Sequence, residues 1–286
     1  MAAAISYSSR AIRAPNSPDF RAYITHNGCD VSALNDIPLF PPARPTAASE
    51  LHVHMIVHAG RWTNAHMTLD THTAFTPIRP VLRGRKVAYV RNVFPHRGYI
   101  WNCGILSQTW SDGGPIHILE VGDRVADLGE VRVVRVLGLL ASRDEGQLRW
   151  ALLAVDTADD LAQRLYSLAD LERVCPGMIT ATKEWLRLYK LPDGKDENTL
   201  EFNGEVKPVD FAREVISRCH DEWKNLVYSS GAAAHFDQTN VTLRDSPGYL
   251  ALAKSQEEQS RIDEMSIWPA RSGMYSFLCL PFIIAR

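Results

Sequence analysis

Residues Phe94 to Gly122, FPHRGYIWNCGILSQTWSDGGPIHILEVG, decide how the rest of the chain is read. The stretch runs from an aromatic, glycine-containing segment through Gln108-Thr109-Trp110 into a short strand rich in β-branched residues, Ile116 to Val121. Similar strands flank it. On its N-terminal side Leu51, Val53, Met55 and Val57 alternate with His52, His54, Ile56 and His58, and Ala65, Met67 and Leu69 oppose His66, Thr68 and Asp70. Successive side chains of a strand point to opposite faces, so His66 and Thr68 fall on one side of a sheet. His52 and His54 read as surface or rim residues. Val87 to Val90, Val131 to Leu140 and Arg149 to Val155 add further strands, and Phe20 to Thr25 supplies a first one, closed by the turn His26-Asn27-Gly28. Short strands at this spacing, with turns between them, predict a small closed or partly closed barrel.

The C-terminal third has a different period. Thr157 to Arg164, continued by Leu165 and Leu168, and then Ile179 to Tyr189 and Val209 to Leu226 carry the apolar spacing of helices. Leu191-Pro192-Asp193-Gly194-Lys195 is a turn between the last two. No repeat or low-complexity segment divides the chain, so residues 1–286 are read as a single domain. Its parts are an arm and first strand (1–50), a barrel core (51–156), a helical flank (157–249) and a divergent tail (250–286). The tail includes MYSFLCLPFII, Met274 to Ile284, which is too short to span a bilayer and is interrupted by Pro281. It is expected to pack on the core or on a second subunit. Lys and Arg total 31 against 33 Asp and Glu, which removes the usual electrostatic argument for nucleic acid or an anionic membrane. Five cysteines without a CxxC spacing suggest neither a disulfide framework nor a zinc knuckle, and point to a reducing, cytoplasmic setting. The first twenty residues lack a signal-peptide core; small residues and two arginines are their only targeting feature.

The central stretch resembles the core of the soluble family I inorganic pyrophosphatases of the eukaryotic type, in which FP-x-x-GYI-x-N-x-G leads through QTWED into GDNDPIDVLEIG. Phe94-Pro95, Gly98-Tyr99-Ile100, Asn102, Gly104, Gln108-Thr109-Trp110 and Leu119-Glu120-Val121-Gly122 keep that pattern. The resemblance extends from about Arg10 to about Tyr249. It includes Asn35-Asp36-Ile37-Pro38-Leu39, Gly60-Arg61-Trp62-Thr63-Asn64-Ala65, Arg91-Asn92, Asp144-Glu145-Gly146, the run Arg187 to Lys195, Cys219 to Lys224 and Thr239 to Leu243. It implies a mainly β, α+β fold: a closed five-stranded OB-like β-barrel flanked by helices. It also implies a homodimer with the Arg61-Trp62 region near the interface.

The family's chemistry, as the resemblance carries it, places magnesium among many carboxylates, where a metal-bound water attacks phosphorus while lysines, an arginine and tyrosines hold phosphoryl oxygens. Much of that set is replaced here. Where the family has D-x-D-P-I-D the chain reads Asp112-Gly113-Gly114-Pro115-Ile116-His117, and Thr109-Trp110-Ser111-Asp112 matches the family's TWED equally well, leaving two alignments of Asp112. A glutamate has become His58; a lysine and a glutamate on the next strand are His66 and Thr68; an arginine is Ala88; an aspartate and a lysine are Arg149 and Ala151. Asp144, Tyr99, Tyr189 and Lys190 remain.

The pattern favours a reused cavity: metal-independent acid/base chemistry, such as isomerisation, cyclisation, dehydration or hydrolysis, on a small organic metabolite. His66, His117, Asp144, Tyr99, Tyr189 and Lys190 are the candidate catalytic groups, with a histidine as the base, because Lys190 and Arg149 would keep Asp144 ionised and weakly basic. His58, Thr68, Arg149, Asp112, Trp101 and Cys103 are candidate substrate contacts. No metal ligand and no cofactor is expected: magnesium's ligands are largely missing, and His58, His66 and His117 lack a recognised zinc spacing. Each candidate also has a structural reading. Tyr99, Tyr189 and Lys190 pack well at a barrel mouth, Cys103 suits an inert buried thiol, and Trp101, Trp110 and Trp150 suit core or cavity wall. The alternatives are a non-catalytic pseudoenzyme that binds a genuine pyrophosphatase or another partner, and a residual inorganic diphosphatase.

Overall fold

The computed structural model describes residues 6–42, 47, 49–229 and 236–267; the apolar stretch Met274 to Ile284 lies outside them. In chain order the strands are β1 (Tyr7–Ile12), β2 (Arg21–His26), β3 (Cys29–Val31), β4 (His52–Ala59), β5 (Met67–Leu69), β6 (Ile78–Pro80), β7 (Leu82–Arg83), β8 (Lys86–Val87), β9 (Asn102–Leu106), β10 (His117–Glu120), β11 (Val131–Asp144), β12 (Gln147–Asp156) and β13 (Thr199–Leu200). The helices are α1 (Leu168–Val174), α2 (Met178–Leu188), α3 (Val209–Tyr228) and α4 (Leu252–Ile267).

Strand pairing returns on itself: β12 pairs with β10, β10 with β9, β9 with β4, β4 with β11, and β11 again with β12. Only a long, bent strand can serve two neighbours in this way. β11 meets β4 through Val131–Arg135 and β12 through Val134–Asp144, with a register shift between Val136 and Gly138. A bulge of this kind bends a strand and adds twist. Gly138 is required there, since a Cβ would come 2.7 Å from Leu168 Cδ2 and 2.9 Å from the Lys207 carbonyl oxygen. A second sheet, ordered β1-β2-β6-β5 with β3 on β2, lies beside the ring. The alternation predicted for β4 holds, and both faces are buried: Val53, Met55 and Val57 join a cluster with Val215, Ile216 and Cys219 of α3, while Ile56 joins one with Trp223 of the same helix. Burial of Val, Leu and Ile at about 25 cal/mol per Å² is the main driving term for such clusters.

Some elements depart from the sequence reading. The first strand is β1, ahead of Phe20, and pairs antiparallel along its length with β2. Thr157 to Arg164 is not a helix but a 3₁₀ turn, Asp160–Gln163, capped by the Asp159 carboxylate, and a separate helix begins at Leu168 behind the Ser167 cap. Residues 252–267 form a helix docked on the β1–β3 side through Arg10 to Asp263 and the Gln259 side chain. His54 is buried rather than superficial, its Nδ1 2.6 Å from the Pro38 carbonyl oxygen, whereas His52 is half-buried beside Glu50.

The central stretch is fixed from within. Fully buried Asn102 uses its whole amide: Nδ2 donates to Glu120 at 2.7 Å and to the Arg124 carbonyl at 2.8 Å, while Oδ1 accepts from Arg61 N at 3.0 Å and Ala126 N at 2.9 Å. Gly98 has φ +56°, and a Cβ there would sit 2.2 Å from the Thr63 carbonyl oxygen, which itself accepts from Tyr99 N. Gly98→Ala is therefore expected to destabilise the fold by on the order of 3 kcal/mol. Chemical denaturation would show this as a fall in the midpoint without a change in slope.

Candidate active site

A cavity of about 430 Å³ opens between β5, β9, β10, the ends of β11 and β12, and α2. Every candidate named from the sequence lines it except Asp112: His58, His66, Thr68, Tyr99, Trp101, Cys103, His117, Asp144, Arg149, Tyr189 and Lys190. Asp112 is exposed and structural. Ser111 and Gly114 exchange both backbone hydrogen bonds, and Asp112 and Gly113 take φ +46° and +89°, so the pair forms a two-residue hairpin turn with both residues left-handed. Its carboxylate accepts from Leu148 N at 2.7 Å. In this chain Asp112 is a turn residue.

Asp144 sits at the end of β11, before a second turn of the same kind at Glu145 (φ +51°) and Gly146 (φ +85°). The C-terminus of α2 delivers its partners: Tyr189 Oη donates to Asp144 Oδ2 at 2.9 Å and Lys190 Nζ to Oδ1. Burial and the adjacent Asp144 carboxylate push the Tyr189 hydroxyl far above its usual range, so it remains a donor. Burial likewise raises Tyr99 and the Cys103 thiol, which leaves Cys103 a protonated wall residue and not a nucleophile.

The three histidines are neutral. Burial, then His117 and His66, lowers His58 to about 3; burial, then Arg149, lowers His117 to about 4; burial, Lys190 and Arg83 lower His66, against Asp144 and Asp193. The His58 and His117 rings meet edge to face at 6.2 Å, and His58 Nδ1 is buried without a hydrogen-bond partner. At about 3 and about 4, His58 and His117 are weak bases near neutral pH.

Sequence reasoning missed Arg79 and Trp185. Arg79 enters from β6, where it pairs in register with Thr68, and is held at 3.1 Å by Asp70. Trp185 stacks on Tyr189 at 4.6 Å, and its Nε1 donates to the Gly98 carbonyl at 2.9 Å. The i, i+4 spacing of Trp185 and Tyr189 was the available signal.

The lining thus holds Arg79 paired with Asp70, Lys190 paired with Asp144, and Arg149. Arg149 donates to Gln147 Oε1 and to the Asp112 carbonyl, and among the described residues it has no carboxylate partner.

The ring of paired strands flanked by helices, with a cavity lined by Tyr189, Lys190 and Asp144, defines a β-rich α+β protein with a candidate active site. Residues 55–224 match the Inorganic pyrophosphatase family. The chain is 39% identical over 271 residues to the inorganic pyrophosphatase of Yarrowia lipolytica, covering 89% of this chain and 92% of that one. It is 40% identical over 247 residues to the inorganic pyrophosphatase of Drosophila melanogaster, covering 82% and 72%. The inorganic pyrophosphatase of Schistosoma japonicum superposes with a TM-score of 0.77 at 35% identity, covering 82% of this chain and 86% of that one. A truncated Trypanosoma cruzi vacuolar soluble pyrophosphatase, solved in complex with PPi, gives 0.72 at 28%, covering 78% and 91%. The chain belongs to the inorganic pyrophosphatase family.

Membership overturns two expectations. A reused, metal-independent enzyme acting on an organic metabolite does not follow from a chain this close, over most of its length, to relatives named inorganic pyrophosphatase. The expectation of no cofactor falls with it, because magnesium belongs to the family's chemistry. The donor set of this chain nevertheless does not fit that ion. A hard cation takes six or so oxygen ligands, whereas the lining offers one carboxylate, with both oxygens engaged by Tyr189 and Lys190. Among the described residues no group of three or more His, Cys, Asp or Glu is placed to hold a metal.

Proposed function

We propose that the protein binds inorganic pyrophosphate in this cavity and hydrolyses it, with a turnover well below that of relatives whose carboxylates are intact. The observation that carries the reading is Arg149, a guanidinium on the cavity wall with no carboxylate partner among the described residues. A planar guanidinium suits bidentate phosphate contacts. Lys190 adds a second charge, and Tyr189 and Tyr99, both held protonated, add neutral donors. In the reaction a water oxygen forms a bond to one phosphorus, the bridging P–O bond breaks, and the water proton ends on phosphate. These groups draw off the negative charge that otherwise repels the incoming oxygen. Phosphate release from pyrophosphate in magnesium buffer tests this. Arg149→Met should lower kcat/KM by roughly 10- to 100-fold, the worth of one charge-assisted contact. Neither release nor calorimetric binding of pyrophosphate by the unaltered protein would remove the reading.

We further propose a cytoplasmic homodimer joined through the Arg61-Trp62 face. Free Cys29, Cys103, Cys175 and Cys219 accord with a reducing compartment. Trp62 is 59% exposed, at φ +65°, with the buried Arg61 guanidinium 5.7 Å from its ring centroid. The exposed Trp62 ring is the apolar surface that a second subunit would cover. Sedimentation at micromolar concentration should give a dimer, and Trp62→Ala a monomer. A monomeric unaltered protein at that concentration would exclude the face as a stable interface.

A further inference from the structure

The mouth of the cavity has a charged lip that pyrophosphate alone would not use. Between Asp70 and Asp112 the chain contains no acidic residue but carries Arg79, Arg83, Arg85, Lys86, Arg91 and Arg97. The β7–β8 hairpin stands at the rim, because both its flanks bond to the cavity residue His66: Val81 N to the His66 carbonyl at 2.7 Å, and His66 N to the Ala88 carbonyl at 3.0 Å. Arg83 and Arg91 converge on a single carboxylate, Asp193, three residues beyond Lys190. At the hairpin tip Arg85 and Lys86 are exposed and have no carboxylate partner among the described residues. Lys190 is offset by Asp144 and Glu145, and Asp193 offsets one of Arg83 and Arg91, so the unbalanced positive charge on this side of the cavity is carried by the hairpin.

We propose that the β7–β8 lip is a second anion subsite, which takes the distal phosphates of a linear phosphoric anhydride longer than pyrophosphate, so that the site prefers a triphosphate chain. The inference rests on the reading that the cavity itself holds pyrophosphate. Each added phosphate brings charge that the cavity lining does not offset, and Arg85 and Lys86 are the cations without a carboxylate partner, among the described residues, on the hairpin bonded to His66. Exposed charges act over about 10 Å at ordinary salt, so the lip need not touch the first two phosphates to discriminate a third.

Calorimetry with pyrophosphate, inorganic tripolyphosphate and ATP on the full chain and on the double variant Arg85→Ala/Lys86→Ala tests the proposal. Tripolyphosphate should bind the unaltered protein about tenfold more tightly than pyrophosphate, with a steeper salt dependence. The double variant should erase that advantage and leave pyrophosphate binding unchanged. ATP as tight as tripolyphosphate would identify a nucleotide's triphosphate as the source, and weaker ATP would identify free polyphosphate. If pyrophosphate binds and tripolyphosphate binds no more tightly, or if the variant weakens both alike, the lip is not a subsite and the pyrophosphate reading stands. If pyrophosphate does not bind, the pyrophosphate reading falls and the lip as a second subsite falls with it.

Discussion

Between pH 6.5 and about 3 the protein should lose several kcal/mol of stability, starting well above the range in which ordinary carboxylates titrate. His58 and His117 are held neutral in the fold, at about 3 and about 4, against 6.5 for the free side chain. Their folded values are depressed, so above pH 6.5 neither state binds the protons and the contribution is complete. As the pH falls below 6.5 the unfolded chain takes up protons that the folded chain refuses, and stability drops until the folded values are reached. The shifts correspond to on the order of 5 kcal/mol for His58 and about 3 kcal/mol for His117, and the pair to less than their sum, because the neighbouring His117 is itself one of the groups that lowers His58. Asp36 and Asp237, raised by burial, contribute with the opposite sign at lower pH. The histidine term is therefore read most cleanly from pH 6.5 to 5. Urea unfolding over that interval should give a steadily falling free energy, and His117→Asn should flatten the slope. A flat profile in the unaltered protein would mean that the histidines are hydrated and unshifted.

These histidines also mark the limit of what the sequence conveys. Alternation on the strand carrying Met67 placed His66 and Thr68 on one face, and the family resemblance brought His58, His117, Asp144, Tyr189 and Lys190 to the same place; all of them line one cavity. Their protonation could not be read, because it depends on enclosure by residues from seven strands and α2. Many of the motif residues that carried the resemblance serve the fold. Asn35 accepts from Trp223 Nε1 at 3.0 Å, and the buried Asp36 carboxylate accepts from Ser32, Val241 and Thr242. Such residues report the fold and not the reaction, which is why the fold was legible while the reaction was misjudged. The strand Tyr7–Ile12 was missed because it is an edge strand without clear alternation, half of it exposed. The helix Leu252–Ile267 was missed because Leu252 and Met265 are exposed and its apolar stripe is thin.

The strongest functional discrimination should come from two neighbouring substitutions with effects of opposite sign. Lys190→Met should weaken pyrophosphate binding by roughly 10- to 100-fold, whereas Asp144→Asn should strengthen it by roughly tenfold, since two unit charges a few ångströms apart interact by a few kcal/mol at an intermediate dielectric. The reason lies in the pairing. Asp144 holds Lys190 on one oxygen and the Tyr189 hydroxyl on the other, so in the absence of ligand the carboxylate neutralises the cation that an anion needs. Removing Lys190 takes away a positive charge and leaves Asp144 to repel the anion. Neutralising Asp144 removes the charge that offsets Lys190, leaves one amide oxygen to accept from Tyr189, and does not touch the Trp185–Tyr189 stack. In a site built around carboxylate-held magnesium the aspartate change would instead abolish binding, because it would remove an oxygen ligand. Calorimetry with pyrophosphate in magnesium buffer reads both variants. Weaker binding by Asp144→Asn would show that the carboxylate assists the ligand, and would refute the view that Arg149 and Lys190 hold pyrophosphate by direct charge.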